Sequence, residues 1–293
     1  MNAIENGMVP YRDEDTGFLM VNGVNLSKYD LLDKEENARI KEAINKKKEI
    51  ERYKDRKDIH FTMVNMEGAR ELAMLKALNT KELGYFLVLQ TYIGYDNMLK
   101  ISLNARVPMK EKELAEVLKI KQKRTYSGLL GKLMELGLIY KGKVTMFKKE
   151  YEAFFINKDY CLRGSSKENK VVKVFIKQLQ ELYGLEDIKP ADIGFLFRIL
   201  PYMHYKSNHL VRHPYEMDYA KAEALTLKDL VEITGQDKKN VSEHLKMKLS
   251  GVRVFGSFNA ENIVYRVNPW LLFRGIEPDE TLKADFTLTG QSL

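Results

Sequence analysis

The side chains best suited to chemistry in this chain are cationic and amide groups that gather in two segments of similar pattern. Lysine, arginine, glutamine and asparagine donate hydrogen bonds to the phosphates and base edges of double-stranded DNA. We therefore predict a DNA-binding surface in each segment. In the first it consists of Lys121, Gln122, Lys123, Arg124, Tyr126, Ser127, Lys132, Lys141 and Lys143, and in the second of Lys238, Lys239, Asn240, Ser242, Lys246 and Arg266.

Apolar residues three to four apart predict that a helix–turn–helix positions each surface. In the first segment the helices cover 111–118 and 122–136, and in the second they cover 227–234 and 238–249. The second helix of such a motif enters the major groove of DNA. In the first segment we expect Leu129, Leu130, Leu133 and Leu136 on the inner face of this helix. Lysine and arginine at the start of a helix oppose its macrodipole, so helix stability does not explain the cluster at 121–124. A phosphate partner would explain it.

Flanking segments complete a longer pattern. A long apolar helix (81–95; 190–205) and a short extended stretch (99–103; 209–213) precede each helix–turn–helix. A hairpin follows it, at 138–147 with a Lys-Gly-Lys tip and at 252–267 around residues 258–262. This order of elements is typical of a winged helix-turn-helix.

The two segments belong to an internal duplication. Identical residues recur at two fixed offsets. Three pairs are 110 residues apart: Gly84/Gly194, Tyr92/Tyr202 and Tyr95/Tyr205. Four pairs are 116 residues apart: Leu114/Leu230, Glu116/Glu232, Leu129/Leu245 and Leu133/Leu249. One insertion, at 215–224 of the second copy, accounts for the change. Offsets shared over two blocks indicate a repeated structural unit.

The predicted fold class is mostly α with small β-wings (α+β), as tandem winged helix-turn-helix domains with an N-terminal helical arm. The arm is residues 1–65, with a short strand or hairpin at 17–23 and a charged helix at 33–58. Winged-helix domain 1 is 66–160, the linker 161–170, domain 2 is 171–275, and 276–293 is an acidic tail.

The end of the second copy carries a family resemblance. The motif Val264-Tyr-Arg-Val-Asn268-Pro269-Trp-Leu-Leu-Phe-Arg274-Gly275, after a helix-turn-helix and wing, resembles the end of winged-helix replication proteins of Firmicute plasmids and phages, the RepL-like group. Phage MarR-like regulators have a similar ending. The resemblance covers about residues 190–275. It implies double-stranded DNA binding without catalysis, in replication initiation or in transcriptional regulation.

Composition agrees with a polyanion partner. The net charge is +7, but residues 34–275 hold +14 between two acidic ends. A single cysteine, Cys161, excludes an internal disulfide, and no run approaches the ~20 apolar residues of a membrane span. The first residues lack the pattern of a secretory signal. We expect a cytoplasmic protein without enzymatic activity, cofactor, metal or membrane contact.

Other interpretations remain open. Winged helices also serve as protein–protein interaction modules, and His209-Leu-Val-Arg212 with Tyr265 matches part of a tyrosine-recombinase site. His204, His209 and His213 are better explained as core or surface residues than as zinc ligands, and no P-loop motif is present. Two DNA-binding domains in one chain predict a direct or inverted repeat as the site, and the arm is a possible homodimer contact.

Overall fold

The computed structural model describes residues 11–15, 19–21, 24–25, 60–164, 170–218, 221–259 and 263–287. In these residues the fold is mixed α+β, with nine helices and several small antiparallel sheets. The chain divides into an N-terminal unit, residues 1–59, and a main unit, residues 60–293. In the N-terminal unit β1 (Tyr11–Arg12), β2 (Leu19–Val21) and β3 (Val24–Asn25) form one antiparallel sheet. The helix expected at 33–58 lies outside the described residues.

The main unit contains two successive repeats, residues 61–164 and 171–275. The first has β4 (Phe61–Asn65), α1 (Met66–Leu75), α2 (Thr80–Gln90), α3 (Glu111–Val117), α4 (Lys123–Glu135), β5 (Ile139–Met146), β6 (Lys149–Ile156) and β7 (Cys161–Leu162). The second has β8 (Val171–Phe175), α5 (Ile176–Gly184), α6 (Pro190–Ile199), a 3₁₀ turn (Leu200–Tyr202), α7 (Leu227–Thr234), α8 (Lys238–His244), β9 (Lys248–Leu249), β10 (Val252–Arg253), β11 (Phe255–Asn259), β12 (Ile263–Val267) and β13 (Leu272–Phe273). Helix α9 (Glu280–Thr287) follows.

A central sheet joins the repeats about a local two-fold axis. Its strand order is β13-β8-β4-β7, and the inner strands β4 and β8 are antiparallel with Met63 opposite Lys173 at the middle of the register. Those two residues are 110 apart, the offset of the repeat itself, so the pairing is symmetric. The outer strands follow the same symmetry, because Cys161 pairs with Val64 and Leu272 with Val174.

Helices α2 and α6 cross on the same axis at two glycines. A Cβ built on Gly84 would lie 1.8 Å from the carbonyl oxygen of Pro190, and one built on Gly194 would lie 1.7 Å from that of Thr80. These contacts are reciprocal, since Thr80 and Pro190 are also 110 residues apart. Only a residue without a side chain allows the two backbones to approach so closely.

An equivalent asparagine links each hairpin to the central sheet. Asn97 Nδ2 donates to the carbonyl oxygens of Ile156 (3.0 Å) and Cys161 (2.6 Å). In the second repeat Asn208 Nδ2 donates to those of Val267 (3.1 Å) and Leu272 (2.7 Å). Both asparagines have positive φ, +61° and +55°, a conformation that asparagine tolerates better than most residues. The residue pairs that indicate the duplication in the sequence do not include these asparagines.

Three segments differ from the domain boundaries expected above. Residues 61–65, expected in the arm, form the central strand β4, and Cys161–Leu162, expected in the linker, form the sheet strand β7. The acidic tail includes α9, whose Leu282 and Phe286 are buried with Phe175 and Phe273. Each segment is short and has a partner roughly 100 residues away in the chain, so local periodicity could not reveal its role.

Candidate nucleic-acid interface

The order of elements around the predicted surface residues is the one that their spacing indicates. In each repeat two short helices joined by a turn, α3–α4 and α7–α8, precede an antiparallel hairpin, β5–β6 or β11–β12. Helix α8 is shorter than expected. It ends at His244 because Lys248–Leu249 turn back to pair with Val252–Arg253, through Ser250 and Gly251 at positive φ.

A carboxylate at the third position of the long helix anchors the second helix of each motif. In the first repeat Glu82 accepts from the Asn79 backbone N–H (2.8 Å) and from Lys132 Nζ (2.8 Å). In the second, Asp192 accepts from the Lys189 backbone N–H (2.6 Å) and lies 2.7 Å from His244 Nδ1. Both carboxylates therefore cap one helix and position another.

Burial by itself would raise the pKa of the Asp192 carboxyl. The hydrogen bonds from His244 and from the Lys189 backbone outweigh this effect, so the pKa lies below its ordinary value. Asp192 is therefore ionised at neutral pH, as an anchor for a histidine requires.

The inner face of α4 agrees with the prediction except at one residue. Leu129, Leu130 and Leu133 are buried as expected, and Leu136, just after the helix, is half-buried against the core. Tyr126, expected on the outer face, is 4% exposed, and burial together with the nearby charge of Glu111 raises its pKa. The tyrosine occupies the inner face because it precedes Leu129 and Leu130 by three and four residues. It belongs to the packing of the domain.

The start of α4 carries the strongest part of the predicted surface. Lys121, Gln122, Lys123, Arg124 and Ser127 are all exposed. Within the described part of the chain, none of the three cations among them makes an ion pair. The first turn of α4 contains no acidic residue, and Gln122 at the N-cap gives no side-chain cap. Positive charge is therefore concentrated here without a described counter-charge.

The start of α8 is similar but better capped. Asp237 accepts from the Asn240 backbone N–H (2.8 Å) and from its side-chain Nδ2 (2.6 Å). Lys238, Lys239 and Asn240 are exposed, and Ser242 is half-buried. Neither lysine has an ion pair among the described residues. The two repeats thus present cations at corresponding places.

The remaining predicted cations have carboxylate partners. Three of the pairs are on the surface: Lys141 with Glu111 (3.9 Å), Lys143 with Glu150 (3.2 Å) and Lys246 with Glu243 (2.8 Å). Exposed pairs of this kind contribute little, and a phosphate can replace the carboxylate. The lysines remain compatible with a DNA surface.

The predicted DNA contacts of Lys132 and Arg266 require correction, because both side chains have partners within the fold. Lys132 is the half-buried partner of Glu82, and the Arg266 guanidinium bonds His209 Nε2 (2.9 Å) and Asp285 of α9. Both were assigned to DNA because a cation on a helix or wing resembles a surface residue in sequence. Their partners, 50 and 19 residues away, assign them to the fold.

His209 makes the stability of the fold depend on pH. Burial, followed by the charges of Arg266 and His204, lowers its pKa from 6.5 to about 3. The folded protein therefore keeps His209 neutral while the unfolded chain takes up a proton below about pH 6.5. Stability should fall as the pH decreases from about 6.5 towards 3, by up to about 1.4 kcal/mol per pH unit.

We expect His209→Gln to make this pH dependence shallower, since glutamine does not titrate. Urea unfolding at pH 7, 6, 5 and 4 measures the slope. His213→Gln, which changes an exposed histidine, is the matched control and should keep the parent slope. Equal slopes for His209→Gln and the parent would contradict the assignment.

The first hairpin turns at a different place from the one expected. Lys141-Gly142-Lys143 lie inside β5, opposite Glu152–Phe154, and the turn is formed by Phe147 and Lys148 with φ of +51° and +62°. Glycine suggested the turn in the sequence, but here it lies in a strand. Phe147 is 66% exposed at the tip and is followed by exposed Lys148 and Lys149. Phenylalanine and lysine are not typical turn residues, so no turn signal marks this tip in the sequence.

The residues of the recombinase-like pattern have structural partners. Arg212 pairs with Glu223 (2.9 Å) and Asp229 (2.6 Å), and Tyr265 is buried in β12.

His204 is bonded through both ring nitrogens, to Ser207 Oγ and to the carbonyl of Glu216. Among the described residues, no group of three or more His, Cys, Asp or Glu side chains could hold a metal ion. No helix in the same part of the chain has the length and apolarity needed to cross a bilayer.

Comparison with known proteins finds no family model, no curated protein and no solved structure that matches the chain.

Proposed function

We propose that the two repeats are winged helix-turn-helix domains and that the chain is a sequence-specific double-stranded DNA-binding protein. One observation carries the proposal. The starts of α4 and α8 present exposed cations that make no ion pair with a described carboxylate, namely Lys121, Lys123, Arg124 and Lys238. These are the positions at which a helix-turn-helix meets phosphates and base edges.

The distribution of ion pairs supports this proposal. Lys132 and Arg266 are joined to carboxylates of the fold, so neutralisation is available where the structure needs it. At the starts of α4 and α8 the cations repel each other and, in α4, oppose the helix dipole. DNA phosphates would supply the missing negative charge. Gln122 and Asn240 are suited to adenine, and Arg124 to guanine.

The local two-fold axis favours one arrangement of the DNA site. Met63 opposite Lys173 and the reciprocal glycine contacts relate the repeats by a rotation, as in a symmetric dimer. Two domains related in this way present their second helices to DNA in opposite directions. An inverted repeat fits this symmetry and a direct repeat does not. Its half-sites should lie about 10–10.5 base pairs apart, or a multiple of that.

The biological role we propose is replication initiation or transcriptional regulation in a phage or plasmid. The resemblance of residues 264–275 to RepL-like and phage MarR-like proteins supports both roles equally. The natural DNA site would separate them, because an initiator binds repeats inside an origin whereas a regulator binds an operator that overlaps a promoter.

Selection of bound duplexes from a random pool tests the proposal. We expect an inverted repeat from the parent chain. Arg124→Ala should relax the sequence at one half-site, and Asn240→Ala should relax it at the other. Each lost base contact should cost about 1–3 kcal/mol. Lys158→Ala, which changes an exposed cation beyond β6, is the control and should select the parent site.

Two results would contradict the proposal. No enrichment, together with binding that does not weaken with salt, would exclude a nucleic-acid partner and favour a protein-interaction role, because DNA binding depends strongly on salt. A direct repeat would show that the local two-fold axis does not govern DNA binding.

A further inference from the structure

The two repeats differ at one pair of equivalent contacts. On one side of the axis, Tyr183 of α5 in the second repeat packs against the end of α3 in the first, where its hydroxyl donates to the Leu118 carbonyl (2.7 Å). The Lys119 ammonium donates to the Tyr183 carbonyl (2.6 Å) and lies 4.8 Å from the centre of its ring. Tyrosine and lysine together fill the space between the helices.

Smaller residues occupy the equivalent places on the other side of the axis. Ala73 of α1 corresponds to Tyr183 by the 110-residue offset, and Gly235 corresponds to Lys119 by the 116-residue offset. The backbone is conserved, since Lys119 and Gly235 have φ of +55° and +63°. Without the two long side chains, a cleft of about 950 Å³ lies between α1, the start of α2, α6 and α7. Ligand-binding clefts commonly measure about 300–1,000 Å³.

A buried arginine lies in the wall of this cleft. Arg198 is 8% exposed, and its guanidinium donates to Thr80 Oγ1 (3.3 Å) and to the Ala73 carbonyl (3.2 Å). Among the described residues it has no carboxylate partner, and burial lowers its pKa. Buried charges are normally paired, so an unpaired guanidinium at a cleft indicates a site for an anion.

A second arginine lies in the same wall. Arg70 Nη2 donates to the Pro201 carbonyl (3.1 Å), and its guanidinium lies 5.1 Å from the ring centre of Tyr202. Its Nε is buried without a hydrogen-bond partner in the described structure. Arg70 also lacks an ion pair there, so the cleft contains two guanidinium groups available to an anion.

The acidic groups of the cleft do not neutralise these arginines. Asp229 accepts from Arg212 Nη2 (2.6 Å) and from the hydroxyl and backbone N–H of Thr226 (both 2.7 Å). Glu232 is the other acid in the lining, and it is exposed. The cleft is also lined by four cationic side chains, Arg70, Lys76, Arg198 and Arg212. Its lining therefore has two more positive than negative charges.

Apolar side chains complete the wall. Leu78 and Leu225 are each 1% exposed, and Ile233 is half-buried beside them. We propose that the cleft between α1, α2, α6 and α7 binds a small organic phosphate, a phosphate ester on an apolar or aromatic body of about the size of a mononucleotide. Guanidinium groups bind phosphate through paired hydrogen bonds, and the apolar wall accommodates the body. The backbone of a DNA duplex is too bulky to reach the guanidinium of Arg198, which is only 8% exposed.

Calorimetric titration of the full chain tests this proposal with AMP, inorganic phosphate and adenosine. AMP should bind with one-site saturation, phosphate more weakly, and adenosine not measurably. Arg70→Gln should weaken AMP binding by about 10-fold or more, the effect of losing a charge-assisted hydrogen bond. Ala73→Tyr, which copies the residue of the filled side and retains every cation, should abolish binding.

Lys177→Ala, on an exposed residue of α5 outside the cleft, is the matched control and should bind AMP as the parent does. Absence of saturable binding of AMP or phosphate, or equal affinity for AMP and adenosine, would overturn the proposal. So would unchanged AMP binding in Ala73→Tyr while thermal unfolding shows a folded protein. Neither cleft variant should alter DNA affinity, and parallel loss of DNA binding would assign the arginines to the DNA backbone instead.

Discussion

Replacing Lys123 and Arg124 together by alanine should weaken binding to double-stranded DNA by roughly 10- to 100-fold at moderate salt. Both side chains are exposed at the start of α4 and have no carboxylate partner among the described residues. Removing two phosphate contacts should also reduce the slope of log K against log salt by about 2. Fluorescence anisotropy with a labelled duplex, from 50 to 200 mM salt, measures both quantities.

A variant with the same loss of charge provides the control. Lys158→Ala with Lys177→Ala removes two exposed lysines outside the helix pairs α3–α4 and α7–α8 and the hairpins, and should leave the salt slope near that of the parent. Lys238→Ala with Lys239→Ala should behave like the α4 double variant, because α8 holds the equivalent position. If the control and the α4 variant lose the same affinity, binding depends on total charge and α4 is not the recognition helix.

Gly194→Ala should cause a large loss of stability, about 3 kcal/mol, the upper end of the usual cost of overpacking. The new methyl group would lie 1.7 Å from the Thr80 carbonyl oxygen, and a backbone atom cannot move aside as a side chain can. Helices α2 and α6 would have to separate on the local axis. For a unit of this size the midpoint of thermal unfolding should fall by about 10 °C. Gly84→Ala should have a similar effect, because its Cβ would meet the Pro190 carbonyl at 1.8 Å.

The same glycine-to-alanine change elsewhere in the chain should raise the stability instead of lowering it. Gly131 lies inside α4, and a Cβ there meets no atom within 4 Å. Alanine favours the helix, so Gly131→Ala should stabilise the protein by about 0.5–1 kcal/mol. Calorimetry and urea unfolding of the three variants measure the difference. Wild-type stability of Gly194→Ala would mean that the helices do not pack through these glycines.

Much of the local structure could be predicted from the sequence alone. The 110- and 116-residue offsets revealed the repeat, and apolar spacing located the helices around 111–117 and 123–135. Leu129, Leu130 and Leu133 were correctly placed on the inner face of α4. These features depend on residues close together in the chain, where helix periodicity determines which side chains share a face.

The candidate site was only partly predictable for the same reason. Lys123 and Lys132 look alike in sequence, yet one is exposed without a described partner and the other is bonded to Glu82, fifty residues away. Arg266 was predicted to contact DNA, but its guanidinium is paired with Asp285 of α9. Local pattern identifies which cations lie on the two short helices and the hairpin of each repeat, but it does not show which of them the fold already neutralises.

By itself, then, the sequence determined the duplication, the order of elements in each repeat and the concentration of positive charge at the starts of two helices. Only the tertiary structure decided that the repeats meet on a two-fold axis through Met63, Lys173 and two glycines, and that one cleft is filled while its equivalent is open. The physical reason is distance along the chain. Strand pairing and helix crossing depend on contacts between residues about 110 positions apart, and the contrast between Ala73 and Tyr183 acquires meaning only when the symmetry that relates them is known.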